Sequence, residues 1–330
     1  MGKVKIGLIG CGKIASCSHT PAFKAIPGKA VITAVFDLKR ENAEKIIKDN
    51  SLKAKIYTSV DELLKSGIDG VAINTPNSSH HELTIKALNA GVNVLVEKPM
   101  AVTLKQADEM IALAEKKKLH LQVNQSLRFA PAYVKIKEMI EAGKIGDPIH
   151  IRCLRASGSS PDKGWSPGAK WFVQKKFAGG LIMDIAVHMA DMMGWYFGKA
   201  SKVYSMSSIK IKGNDVPDNV TTLFDFANGA TGVLELSWTI PVGGGLLEIY
   251  GSKGTIRLGF NPDGIEFATK PGKYKIVKPG KFKTSQEWFA DAINGKKGCP
   301  VPGKTGRHAL AYSLAIAESG EKSKAVTPSI

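Results

Sequence analysis

Short apolar runs alternate with amphipathic stretches along the first third of the chain. The runs at residues 3–9, 31–37, 54–57, 70–74, 93–97 and 119–124 have strand length, and the segments between them, among them 40–48, 80–89 and 103–117, carry apolar residues at helical spacing. Strands that alternate with crossover helices pair in parallel and form a sheet covered on both faces. The helical stretches begin or end at polar caps or glycine, as in Asn89-Ala90-Gly91. The pattern predicts a complete α/β nucleotide-binding domain over residues 1–124.

Beyond Arg128-Phe129-Ala130-Pro131 and a helical stretch over 132–142, the texture changes. Strand-like segments at 149–155, 202–211, 219–226, 231–239, 246–250, 255–258 and 274–277 follow one another without crossover helices, several separated by turn signals such as Asn228-Gly229. This predicts an α+β domain with a large, mostly antiparallel sheet over residues 125–330, in which the Pro- and Gly-rich stretch 158–168 is a loop.

Composition adds limits rather than chemistry. A chain of 330 residues exceeds what one core serves, in keeping with two domains. The four cysteines, Cys11, Cys17, Cys153 and Cys299, show neither Cys-x-x-Cys nor histidine spacing, which argues against a zinc site or disulfide framework and for a reduced, cytoplasmic protein. No basic-then-apolar leader is expected, and no apolar run approaches the roughly 18 residues of a membrane span. A net charge of +17 raises the question of nucleic acid. The lysines are scattered, at 39, 45, 48, 86, 105 and 116–118, with no basic stripe interleaved with aromatics. They read as a solvated surface of the kind enriched in hyperthermophile proteins, with neither nucleic acid nor membrane as partner.

The chemistry is concentrated at strand ends. The first strand runs into Gly10-x-Gly12-x-x-Ala15, where the first glycine permits a tight turn, the second lets the backbone approach a pyrophosphate, and the small third residue packs helix on strand. Asp37 closes the second strand, near the roughly 20-residue spacing expected for the acid that holds an adenosine ribose. A carboxylate there favours NAD over NADP, although Lys39 and Arg40 lie close enough in sequence to receive a 2′-phosphate, so NADP use stays open. Pro21 predicts a break near His19-Thr20, with Thr20 capping a second short helix; His19 is then structural or touches the cofactor pocket.

The fifth strand ends in Glu97-Lys98-Pro99, which delivers titratable groups to the crevice beyond the carboxyl ends of a parallel sheet. Further on, Asp184 and His188 are four residues apart and share one face of a helix. A carboxylate and an imidazole so presented can bind a hydroxyl and take its proton, or can simply satisfy each other.

Taken together, Gly10-x-Gly12-x-x-Ala15, Thr75-Pro76-Asn77-x-x-His80, Glu97-Lys98-Pro99, Arg128-Phe129-x-Pro131 and Gly179-Gly180-x-x-x-Asp184-x-x-x-His188-x-x-Asp191 resemble the Gfo/Idh/MocA oxidoreductase family, over essentially the whole chain. The resemblance implies a Rossmann domain joined to an antiparallel α/β domain, with nicotinamide and substrate in the cleft between them. It implies Lys98, Asp184 and His188 as catalytic residues: His188 the base toward the substrate hydroxyl, Lys98 holding that oxygen and relaying the proton, Asp184 orienting both sugar and lysine. Cofactor contacts are expected from Gly10, Gly12, Lys13, Ile14, Asp37, Thr75, Pro76, Asn77, His80, Glu97, Lys98, Asn124 and Trp171. Substrate contacts are expected from Lys98, Arg128, Arg155, Trp165, Asp184 and His188, with Lys170, Trp171 and Tyr250 as further polyol-recognising candidates. Ala186 stands where many relatives have glycine. The expected substrate is a free monosaccharide or inositol, the alternative a nucleotide sugar. A non-catalytic NAD(P)-binding regulator is the rival class, expected to lose at least one catalytic position. Self-association through the sheet of the second domain into a homodimer or homotetramer is also expected.

Overall fold

The computed structural model describes residues 2–259, 264–296 and 298–330. The chain divides into two compact units, one comprising Met1–Gln125 with Lys283–Arg307, the other Ser126–Phe282 with His308–Ile330.

In the first unit, β1 (Val4–Ile9), β2 (Ala30–Phe36), β3 (Lys55–Ile56), β4 (Gly70–Ile73), β5 (Asn93–Glu97) and β6 (Leu121–Asn124) form a parallel sheet in the order β3-β2-β1-β4-β5-β6. The strands are apolar along nearly their whole length because helices cover both faces: Leu8, Val35, Ala72 and Leu95 are fully buried. The strand order reverses between β1 and β4, where the glycine-rich turn leaves the sheet and where ligands bind in such folds.

The return segment Lys283–Arg307 groups with this unit, whereas the sequence pattern assigns everything beyond 124 to the second domain. Its helix Ser285–Ile293 places Phe289 and Ala290, both fully buried, in the same core as Val4, Ile6 and Leu8. Lys29, Lys283 and Lys296 converge on its Asp291 at 3.0, 2.7 and 3.1 Å. These contacts join residues far apart in sequence, which local periodicity does not report.

The break expected at Pro21 does not form. The helix widens instead into a π turn over Ala15–His19 and continues as Thr20–Lys24, the Thr20 N–H reaching back to the Ala15 carbonyl. Ile14, His19 and Thr20 all keep right-handed helical angles, and Thr20 caps nothing. Pro21 falls in the first turn after the π turn, where its missing donor is tolerated.

In the second unit, β7 (Pro148–Ala156), β8 (Ala200–Ser208), β9 (Asn219–Phe226), β10 (Thr231–Ser237), β11 (Gly244–Gly251), β12 (Thr255–Leu258), β13 (Ile265–Ala268) and β14 (Lys275–Val277) form one sheet in the order β14-β13-β12-β11-β7-β10-β9-β8. Every neighbouring pair is antiparallel except β7 with β10. The sequence pattern places no strand at β13. The helix Val187–Phe197 covers one face, its Met189 and Met193 buried in one core with Ile151, Phe224 and Leu234.

On the other face Tyr204, Met206 and Leu223 are exposed beside a row of ion pairs, Arg152–Glu235 and Arg257–Glu248. Among the described residues no helix is long and apolar enough to cross a membrane.

Candidate functional site

Gly10 and Gly12 are required for different reasons. Gly10 has φ +87°, and a Cβ there would fall 2.7 Å from the Asn74 carbonyl oxygen, so the turn between β1 and β4 admits no side chain. At Gly12 a Cβ would meet nothing within 4 Å. The chain itself does not demand glycine there; the open space is the cradle a pyrophosphate needs.

Asp37 ties this loop to β2. Its Oδ2 accepts the Cys11 N–H at 2.8 Å, and its Oδ1 accepts the Lys39 N–H at 2.8 Å and the Asn42 amide at 3.0 Å. Three of about four carboxylate acceptor positions are therefore used within the protein, which leaves room for a ribose hydroxyl donor at Oδ2. Lys13 and Ile14 begin the helix that follows. The loop, the carboxylate and the strand order fit an adenine dinucleotide.

Around Lys98 the unit is built on buried polar contacts. His19, fully buried in the π turn, places Nε2 2.8 Å from Glu97 Oε1 and Nδ1 3.2 Å from the Gln286 amide nitrogen. An amide nitrogen only donates, so Nδ1 accepts and Nε2–H donates to Glu97. Asn124, opposite Glu97 in the β5–β6 register, donates to the same oxygen at 2.6 Å, and the Lys98 N–H donates to Oε2 at 3.2 Å. Burial alone would raise the Glu97 pKa; the His19 and Asn124 bonds and the nearby Lys98 charge outweigh it and hold the carboxyl down at about 2.

His80 braces the other side of the turn. It is fully buried, with Nδ1 2.8 Å from the Pro99 carbonyl oxygen and Nε2 2.8 Å from that of Thr75, and burial pushes its pKa down. His80 and Glu97 are both expected at the cofactor from sequence; within the protein His80 ties Pro99 to Thr75, and Glu97 takes bonds from His19, Asn124 and the Lys98 N–H. Asn77 is buried, while Thr75, Pro76 and Lys98 are half-buried.

In the second unit Asp184 lies in a π turn, Ile182–Ala186, whose following residue Val187 donates back to the Ile182 carbonyl. Such turns recur at functional sites because they re-aim side chains within a helix. Asp184 is buried and His188 half-buried one turn on. Ala186 is fully buried in the core, which accommodates its methyl group.

Asp184 lines a concavity of about 320 Å³ together with Arg155, Ser157, Ser160, Trp165 and Trp238. The volume suits a small ligand of sugar size, and the lining combines hydroxyls, a carboxylate, a guanidinium and aromatic rings. Trp165 sits edge-on to Phe172 at 5.5 Å, and Trp171 stacks on Phe172 at 3.7 Å.

Three other residues expected at the substrate have partners within the protein. The Arg128 fork is committed to Asp191 by bonds of 2.7 and 2.8 Å, with its guanidinium 5.0 Å from the Trp195 ring. Burial raises the Asp191 pKa against the pull of Arg128. Lys170 pairs with Asp162 at 3.0 Å. Tyr250 lies opposite His150, its ring 6.2 Å away, on the sheet face that the helices leave open. Sequence reasoning missed Gln286, Ser157, Ser160 and Trp238, which belong to no local motif.

Residues 4–125 match an oxidoreductase family with an NAD-binding Rossmann fold, and residues 133–257 match the Gfo/Idh/MocA C-terminal domain. The chain is 29% identical over 331 residues to 1,5-anhydro-D-fructose reductase of Ensifer adhaerens, covering 97% of each protein. It is 28% identical over 344 residues to myo-inositol 2-dehydrogenase of Thermotoga maritima, covering 98% of each. Levoglucosan dehydrogenase, solved in complex with NADH and L-sorbose, matches with a TM-score of 0.87 at 26% identity, covering 99% of each chain. The two family matches follow one another along the chain, and the chain belongs to the Gfo/Idh/MocA family of NAD-binding oxidoreductases.

Proposed function

We propose that the protein is an NAD-dependent dehydrogenase that oxidises a secondary hydroxyl of a sugar or inositol. The observation that carries this reading is the second-unit concavity, in which the Asp184 carboxylate accompanies serine hydroxyls and tryptophan rings, a lining suited to a small polyol. Bound nicotinamide supplies the hydride acceptor. His188 takes the proton of the reacting hydroxyl, Lys98 holds that oxygen and relays the proton, and Asp184 fixes the neighbouring hydroxyls. Gly10, Gly12, Lys13, Ile14 and Asp37 hold the dinucleotide, with Thr75, Pro76 and Asn77 beside it and Trp171 toward the nicotinamide. The relatives named above act, by their names, on an anhydro-sugar, an inositol and levoglucosan, which supports a polyol here.

All three reacting groups are present in the sequence, which favours an enzyme over a regulator. The exposed Tyr204, Met206 and Leu223 favour self-association through the open sheet face, and the protein is proposed to act in the cytoplasm. The test is NADH formation across a panel of aldoses, inositols and nucleotide sugars. Turnover of a free polyol that Lys98→Met lowers by about 10² to 10⁴ is the expected result; turnover confined to nucleotide sugars, or none with NADH still bound, overturns it.

A further inference from the structure

Five of the six arginines in the chain have an acid partner: Arg40 with Glu44, Arg128 with Asp191, Arg152 with Glu235, Arg257 with Glu248 and Arg307 with Asp108. Arg155 is the exception, with no carboxylate at ion-pairing distance among the described residues. Its place in the fold gives that exception meaning. Along β7 the side chains of Ile151 and Cys153 point into the buried core on the helix-covered face, and Arg155 continues the same row, since strand side chains alternate. One step beyond Cys153 the core ends and the concavity that Asp184 lines begins. Arg155 is the one basic side chain in that lining, among Ser157, Ser159, Ser160 and Trp165.

A neutral polyol needs acceptors and donors of ordinary strength, which Asp184 and the serine hydroxyls already supply. A guanidinium adds something different, a planar fork of charged donors that matches two oxygens of an anion. The net charge of +17 also draws anions toward the protein at large.

Resting on the polyol reading above, we propose that the substrate is an anionic polyol, a sugar acid or sugar phosphate, whose charged group Arg155 receives while Asp184 holds its hydroxyls. Arg155 thereby sets specificity and takes no part in hydride or proton transfer.

The test uses the full chain with NAD⁺ and three classes of probe: D-glucose and myo-inositol as neutral polyols, D-gluconate and D-glucuronate as carboxylates, and D-glucose 6-phosphate. At least one anionic probe is expected to exceed its neutral counterparts in kcat/KM, and whether it is a carboxylate or the phosphate identifies the source of the charge. Arg155→Met should remove that advantage by about 10- to 100-fold, the value of a charge-assisted pair, through KM with little change in kcat or in NADH affinity. Arg155→Lys should fall between, keeping the charge and losing the fork.

Neutral polyols turned over as well as the anions, or an anion preference untouched in a folded Arg155→Met protein, would overturn the proposal and leave the polyol reading standing. No NADH from any probe, with NADH still bound, would bring down both.

Discussion

The imidazole of His19 and the carboxylate of Glu97 meet at 2.8 Å in the interior of the first unit, 78 residues apart in sequence, with the Gln286 amide on the far side of the ring. Removing a hydrogen-bond donor to a buried carboxylate leaves that charge desolvated and poorly matched. His19→Leu is therefore expected to cost about 2 to 3 kcal/mol of stability. Gln286→Leu, which removes one neutral hydrogen bond, should cost about 1 kcal/mol. Urea unfolding of both variants at pH 7 checks the order; equal, near-zero losses would contradict the network.

Glu97 also sets a pH dependence. Its pKa falls from 4.5 in the unfolded chain to about 2 in the fold, so the folded state binds fewer protons between those values. The contribution is fully present above about 4.5 and is lost as pH falls toward 2, amounting to about 3 kcal/mol. Asp291, held down by three lysines against its burial, acts with the same sign. His80, whose pKa burial lowers from 6.5, begins the loss earlier, because the unfolded imidazole takes a proton that the buried one resists. Unfolding free energies from pH 7 to 2.5 should fall continuously, and Glu97→Gln should flatten the segment below 4.5.

Two alanine substitutions separate folding from dinucleotide binding. Gly10→Ala forces a side chain to φ +87° against the Asn74 carbonyl and should lower the melting temperature. Gly12→Ala meets nothing in the protein, so the melting temperature should hold while NADH affinity drops roughly tenfold or more, the order that loss of one close polar contact produces. Fluorescence titration with NADH and thermal melting on the same samples distinguish them.

Lys98→Met and His188→Asn should each reduce kcat by about 10² to 10⁴ with the melting temperature and NADH binding retained, as positioned proton-transfer groups do. Asp184→Asn should be milder, since an amide keeps part of the hydrogen bonding. A folded His188→Asn enzyme with unchanged turnover removes His188 from the proton path.

Leu223 pairs with Tyr204 across the β8–β9 ladder on the open sheet face, with Met206 two residues along. Replacing Leu223 and Met206 by lysine should shift light-scattering mass to a 35.4 kDa particle if that face self-associates, with little effect on the melting of the monomer. An unchanged mass in both variants places the contact elsewhere.

Much of this architecture is legible in the chain because its signals are local. The β1 run into Gly10-x-Gly12 and the Asn93–Glu97 strand ending at Lys98 need only a short window of sequence to be read. The alternation along Asn219–Phe226 likewise marks one buried and one open face. What escaped depends on contacts between distant residues. Gln286 gains its role only because its helix returns to lie behind His19, and the pairing of Arg128 with Asp191, 63 residues on, belongs to no local pattern. Pro21 misled because a π turn, which no residue in it announces, absorbs the missing donor.

The return of Lys283–Arg307 to the first unit also bears on how the molecule is made. Synthesis delivers residues 1–125 first, yet the core they form stays without Phe289 and Ala290, and the His19 ring without Gln286, until the segment Lys283–Arg307 has followed. A fragment cut after residue 125 would leave an apolar hole beside Gly70, whose position would put a Cβ 2.9 Å from the Phe289 ring. The nucleotide-binding half is therefore a late-maturing domain, completed by a segment made only after every strand of the second sheet.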